Sequence, residues 1–357
     1  MKKPVKTKIL LVCGARPNFM KISPLYHILK KEKVDVMLVN TGQHYDANMS
    51  RSFLDEFGLK EDYSLKPSRK TPISQMTDIM KGLESVYKKE NPDLVVVVGD
   101  INSTLYAALV AKKLLIPIAH VEAGLRSFNK KMPEETNRII TDRLSDLLFV
   151  TEESGVRNLM KEGIHKNVYN VGNIMIDTLK KYLPRVRTSD ERFYFATLHR
   201  AENIDDKKIF GEILNALEII AKDRKIYMPL HPRALKMARR FGYMKKLRKI
   251  CHLLPPLSYS ETIYYEKNAV LILTDSGGIQ EESTYLGVQC ITLRAETERP
   301  ITVSRGTNMI GGVTKRSILH AYARFKKRKT QKKRPPIPFW DGKTSGRIAR
   351  VLKKARL

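Results

Sequence analysis

The sequence has no apolar stretch near the roughly 18 residues that a membrane-spanning helix needs. Its longest runs, Leu94 to Val98 and Ala269 to Leu273, are strand-sized. No span is expected. The N-terminus, MKKPVKTKILLVCG, places basic residues before an apolar run, but that run is short and ends in Gly-Ala-Arg-Pro with no small-residue cleavage pattern, so it reads as a first strand. Cysteine is scarce: Cys13, Cys251 and Cys290 lie in or beside apolar runs, with no C-x-x-C and no even-numbered framework. That excludes a disulfide scaffold and fits small core residues in a reducing cytoplasm. Neither G-x-G-x-x-G nor a Walker motif occurs, so no cofactor is implied. There is no D-x-D triplet and no cluster of His and Cys at ligand spacing, so the chain is expected to act without a metal.

What is present is length and positive charge. At 357 residues and 42% hydrophobic content, the chain exceeds what one core usually serves, and two domains follow. The net charge of +29, from 66 Lys and Arg against 37 Asp and Glu, raises the question of nucleic acid. The basic residues are spread along the chain, except for one dense run, Lys326 to Arg334. No nucleic-acid motif accompanies them, and aromatics are not interleaved with them for stacking. A Lys-rich solvated surface is the reading preferred, and nucleic acid is not expected as a partner.

Strand-sized apolar runs alternate with helix-period segments, the pattern of βαβ units and parallel sheets. Strands are expected at Lys8 to Val12, Val36 to Asn40, Leu94 to Val98, Ile118 to Val121, Leu147 to Val150 and Val168 to Val171. Amphipathic helices are expected at Ser74 to Glu90 and Pro133 to Leu144. The polar segment Leu183 to Arg192 has neither periodicity and reads as a linker. A second series follows: Tyr194 to Thr197, Ile226 to Leu230, His252 to Leu254, Val270 to Thr274 and Gln289 to Leu293. The organisation expected is an N-terminal Rossmann-like domain over 1–182, the linker 183–192, a second Rossmann-like domain over 193–338, and a helix over 339–357 packing back on the first.

In open parallel sheets, ligands gather at the carboxyl ends of strands. Gly14-Ala15-Arg16-Pro17 follows the first strand and opens a helix with Lys21 one turn in, offering a helix start and two cations to an anion. Asp100, after Leu94 to Val98, reads by itself as a helix cap. Glu122 follows Ile118 to Val121, and Glu134 and Glu135 read by themselves as first-turn partners of a helix dipole. The His120–Glu122 pair echoes the H-x-E of zinc deaminases, but no P-C-x-x-C follows, which rejects that chemistry. His199 and Arg200 end a strand of the second series. Most specific is Thr274-Asp275-Ser276-Gly277-Gly278, where a buried strand runs straight into a helix whose N–H groups can approach phosphates. Glu282, six residues past Ser276, lies within reach of ribose hydroxyls. Arg299 lies beyond the next strand.

Taken together, GARPNFMK, VGDINST, HVEAGLR, PEETNR, TLHRAEN, LTDSGGIQEE and TERP resemble, in order and from Gly14 to about Gly312, the non-hydrolysing UDP-N-acetylglucosamine 2-epimerase family. The resemblance implies an α/β fold of two Rossmann-like doubly wound domains facing each other across a cleft, similar to GT-B glycosyltransferases. It also implies a cytoplasmic homodimer that interconverts UDP-GlcNAc and UDP-ManNAc for surface polysaccharide, by elimination of UDP to 2-acetamidoglucal and re-addition. By resemblance, Asp100, Glu122 and Glu134 are the acid and base set, and His199 and Arg16 meet the leaving group. Ser276, Gly277, Gly278 and Glu282 hold UDP, while Lys21 and Arg299 line the site. Such a route needs carboxylates near C2 and positive charge for the departing diphosphate, and the sequence has both. A second, regulatory UDP-GlcNAc site of some relatives is matched by Gln43, His44, Arg69, Arg200 and His231, while Asp46 departs from their usual glutamine. Asn129 and Met132 depart from the commonest loop pattern, which keeps a hydrolysing or a diacetamido-uronate 2-epimerase in view. A GT-B glycosyltransferase and an RNA-binding protein are the remaining alternatives.

Overall fold

Leu94–Val98 reads LVVVV, and all five residues are buried. A strand with no solvent face belongs in a parallel sheet covered on both sides, where each such side chain contributes roughly 1.5–3 kcal/mol by leaving water. The structure is a computed structural model that describes residues 7–43, 47–68, 70–327 and 337–355. The chain divides into two compact units, Met1–Thr178 with Pro338–Leu357, and Leu179–Ile337.

The first unit holds β1 (Lys8–Cys13), β2 (Asp35–Asn40), β3 (Tyr63–Ser64), β4 (Leu94–Val98), β5 (Ile118–Ala123), β6 (Leu147–Val150) and β7 (Val168–Asn170). They form one parallel sheet in the order β3-β2-β1-β4-β5-β6-β7, so the winding reverses between β1 and β4. The second unit holds β8 (Tyr194–Thr197), β9 (Ile226–Pro229), β10 (His252–Leu254), β11 (Leu271–Thr274), β12 (Gln289–Thr292) and β13 (Asn308–Ile310). Its order, β10-β9-β8-β11-β12-β13, is again parallel and reverses between β8 and β11. Each unit is thus a doubly wound, Rossmann-like α/β sheet. Every strand read from the apolar runs is present. β3 and β13 escaped that reading because two or three residues are too few to show a period.

Helices join the strands. In the first unit the helix Asn102–Lys113 buries Ala107, Ala108 and Ala111, small residues that let it lie close on the sheet. After the helix Ile174–Tyr182, Leu183–Arg185 makes a single 3₁₀ turn. The backbone beyond it is tied down: Lys267 Nζ donates to the Val186 carbonyl at 2.7 Å, Asn268 Nδ2 to that of Arg187 at 3.0 Å, and the Ser189 N–H to Asn268 Oδ1 at 2.8 Å. The C-terminal helix Thr344–Lys354 packs on the helix Arg16–Lys31 of the first unit through buried Ile348, Ala349 and Leu352. Its start is capped from a distance, since Asp177 accepts from the N–H groups of Thr344 (3.0 Å) and Ser345 (2.7 Å) and from the Ser345 hydroxyl. All three cysteines are buried and unpaired, and burial pushes the thiols of Cys251 and Cys290 up to about 12. Among the described residues, no helix is long and apolar enough to cross a membrane.

Candidate active site

In the first unit, chemistry gathers where β1, β4 and β5 end. The helix Arg16–Lys31 starts three residues past β1 and is moored to β4 by Asn18 Nδ2, which donates to the Val98 carbonyl at 2.7 Å. One turn in, buried Lys21 meets Glu122 Oε2 at 2.5 Å. Glu122 is 3% exposed and sits where the β5 register shifts between Val121 and Ala123, with φ at +73°. That left-handed conformation costs a non-glycine residue roughly 1–3 kcal/mol. It turns the carboxylate onto Lys21, the cation a buried acid requires. Gly99 makes room for the pair: its φ is +71°, and a Cβ there would lie 3.1 Å from Lys21 Nζ and 3.4 Å from Glu122 Oε2.

Asp100, next in the chain, is not the cap of the Asn102–Lys113 helix that its position suggested. Ile101 holds the cap position without a side-chain bond, and Gln43 Oε1 reaches in to accept from Ser103 N–H (2.7 Å) and Oγ (2.8 Å). Asp100 is thereby left to pair with Arg138 Nη1 at 2.5 Å. Arg138, 1% exposed, also binds Glu135 Oε2 through Nε at 3.0 Å and Nη2 at 2.9 Å. Burial raises the Glu135 carboxyl, but N–H donors from Ser127 and Phe128 together with the Arg138 charge outweigh it and hold it below its usual value. Glu134, half-buried, shares the first turn of the helix Pro133–Leu144, which Asn137 ties to the Asp100 carbonyl at 2.9 Å. Arg16 is half-buried, its guanidinium 4.2 Å from the ring centre of Phe53. His120 lies fully buried between Asp142 Oδ1 (2.7 Å) and the Gly99 carbonyl (2.9 Å), bracing β5 just before Glu122.

In the second unit, β8 and β11 end side by side, with Thr197 Oγ1 2.6 Å from Thr274 Oγ1. Fully buried Asp275 accepts from the N–H groups of His199 and Arg200 and from His199 Nδ1 at 2.9 Å. Burial raises this carboxyl, yet the His199 ring and those N–H groups hold it below its usual value. With Nδ1 donating to Asp275, Nε2 is the ring nitrogen left for other partners. Ser276 is the N-cap of the helix Gly277–Leu286, and its own side chain makes no cap bond. Gly277 is buried, and a Cβ there would come within 2.9 Å of Glu298 Oε1; Gly278 is half-buried. Glu282, 3% exposed, accepts from the Tyr259 hydroxyl at 2.6 Å. Arg299 Nε meets Glu281 Oε1 at 2.6 Å. Arg200 Nη2 lies 3.5 Å from Glu298 Oε1, and the His231 ring is 6.0 Å from that of His199. His231 itself caps the helix Pro232–Arg240.

The structure therefore gathers Lys21, Asp100 and Glu122 around Gly99 in one unit, and His199, Arg200 and His231 beside the Ser276 turn in the other. His44, Asp46, Arg69 and residues 328–334 of the basic run lie outside the described residues. Two anchors were missed in the sequence. Arg138 closes PEETNR three residues after Glu135, a spacing that places both on one helix face. Asp275 stands between a strand end and Ser276, where an acid is well placed to accept N–H groups from the neighbouring strand end. Among the described residues, no group of three or more His, Cys, Asp or Glu is placed to hold a metal ion.

A family model described as UDP-N-acetylglucosamine 2-epimerase matches residues 27–353. A UDP-N-acetylglucosamine 2-epimerase of Methanocaldococcus jannaschii is 40% identical, over 97% of this chain and 98% of its own length. A UDP-2,3-diacetamido-2,3-dideoxy-D-glucuronate 2-epimerase of Pseudomonas aeruginosa is 39% identical, over 97% and 99%. The crystal structure of the Methanocaldococcus jannaschii UDP-GlcNAc 2-epimerase in complex with UDP-GlcNAc and UDP matches with a TM-score of 0.92 at 39% identity, covering 98% of this chain and 100% of that one.

Proposed function

Because the chain belongs to the UDP-N-acetylglucosamine 2-epimerase family, we propose that it interconverts UDP-GlcNAc and UDP-ManNAc by eliminating and re-adding UDP. A carboxylate takes the proton from C2 as the C1–O bond breaks, and UDP leaves with the bonding pair, giving 2-acetamidoglucal. A proton is then delivered to the opposite face of C2 while a β-phosphate oxygen of UDP re-forms the bond at C1. Two faces require more than one acid or base, and the set is Asp100, Glu122 and Glu134. His199 and Arg16 meet the leaving diphosphate, with Lys21 and Arg299 beside it. The N–H groups opened by Ser276, Gly277 and Gly278 take phosphate oxygens, and Glu282 takes the ribose hydroxyls.

The observation that carries this reading is the doubled ion pair around Gly99. Lys21 holds Glu122 and Arg138 holds Asp100, each at 2.5 Å. Two carboxylates fixed by two cations at a strand switch point suit proton transfer beside a departing anion. The test is turnover of UDP-GlcNAc in heavy water, with products identified. Deuterium at C2 of UDP-ManNAc is expected; unlabelled product defeats the mechanism, and free N-acetylmannosamine places the chain among hydrolysing enzymes. The relative from Pseudomonas aeruginosa, nearly as similar as the first, favours a second reading, in which the sugar is a 2,3-diacetamido uronate. Comparing kcat/KM for the two nucleotide sugars separates them.

A further inference from the structure

Behind Glu282 lies a second acid that the reaction does not use. Glu266, on the helix Tyr259–Asn268, is 0% exposed, and neither of its oxygens meets a donor among the described residues. The group it faces is Glu282, on the helix Gly277–Leu286, which already accepts from Tyr259 at 2.6 Å. Two carboxylates cannot hydrogen-bond unless one of them carries a proton, and two buried negative charges side by side are untenable without one. We propose that Glu266 is a positioning residue: it carries the proton of this buried pair and donates it to Glu282, which then presents one fixed negative charge to ribose hydroxyls.

The surroundings agree. Burial first, and then the charge of Glu282 and the bond to it, push the Glu266 carboxyl well above its usual range. The Tyr259 hydroxyl is pushed up too, by burial and then by Glu282, so it remains a donor. Among the described residues, Tyr182, whose ring is edge-on to Tyr259 at 5.4 Å, and the Cys290 thiol of β12, itself raised by burial, also flank the pair. Glu282 is thus fixed from behind by two donors, and its capacity to accept is directed forward. Because Glu266 is raised in the folded chain, it stabilises the fold fully below its unfolded pKa, and that stability is lost as pH rises toward its folded value.

The ligand part rests on the assignment of Glu282 to the ribose. The experiment therefore compares the full chain with its Glu266→Met, Glu266→Gln and Glu282→Ala variants, titrating UDP and 2′,3′-dideoxyuridine diphosphate by calorimetry. Glu282→Ala is expected to erase the preference for UDP, Glu266→Met to cut it by about tenfold, as loss of a bond to a charged group does, and Glu266→Gln to keep it within about twofold. If Glu282→Ala leaves the preference intact, the ribose assignment fails and this proposal with it. If Glu282→Ala erases it while Glu266→Met leaves it intact, the proposal alone fails. Thermal midpoints from pH 6 to 9 give a check without ligand. The advantage of Glu266→Gln over the parent chain should grow with pH, and a constant difference overturns the shared proton.

Discussion

Arg138 binds two acids at once, and its loss takes a cation from each. Replacing it with Met removes the guanidinium that pairs with both Asp100 and Glu135, and the unfolding free energy should fall by about 3 kcal/mol, the scale for breaking a buried pair. Denaturant melts measure that change. Lys at this position keeps the charge but not the fork that reaches both acids, so it should restore only part of the loss. Glu122→Gln is smaller in shape and larger in chemistry: turnover should vanish while the UDP dissociation constant stays within about twofold, because ligand binding does not depend on proton transfer. Retained turnover removes Glu122 from the acid and base set. At this scale the sequence was legible only in part. Glu122 is marked by its place after a strand, but its positive φ and its contact with Lys21, 101 residues away in the chain, come only from folding.

Helix starts do different work in the two units. At the start of the helix Gly277–Leu286 the Ser276 side chain makes no cap bond, and Gly277→Ala would push a methyl against Glu298 Oε1, which Arg200 and Arg294 hold in place. UDP binding should weaken by about tenfold with little change in melting temperature, since a crowded helix start impairs phosphate approach more than folding. Calorimetry beside a thermal scan checks both halves. The helix Thr344–Lys354 instead has its start closed by Asp177 from another helix. Asp177→Ala should cost about 1–2 kcal/mol, the loss of an N-terminal cap, with the effect seen in melting rather than in kcat. Strand ends and the Ser-Gly-Gly turn were readable because their residue types are demanded locally. The role of Asp177 was not, since an acid in the first turn of one helix gives no sign that another helix will start on it.

Across the whole molecule, buried carboxyls set the response to acid. Asp142, Asp275 and Glu135 are each raised by burial and brought below their usual values by stronger opposing bonds: His120 and Arg126 for Asp142, His199 and N–H groups for Asp275, N–H groups and Arg138 for Glu135. A depressed folded pKa gives stability that is complete above the unfolded value, near 4, and lost as pH falls through the folded one. The melting temperature should hold from about pH 6 to 5 and decline below about 4, and Asp275→Asn should shallow that decline. A decline of unchanged slope in the variant removes Asp275 from this account. We also expect UDP-ManNAc alone to turn over with a lag that added UDP-GlcNAc abolishes; a linear time course refutes it.

The sequence by itself determined the α/β class, almost every strand, and the order of the strand-end motifs, because apolar period and glycine-bearing turns are local properties that neighbouring residues impose on one another. Only the tertiary structure decided which acid meets which cation. Lys21 with Glu122, Arg138 with Asp100, and Glu266 behind Glu282 are pairings across long chain separations, and a buried charge finds its partner by proximity after folding rather than by position along the chain.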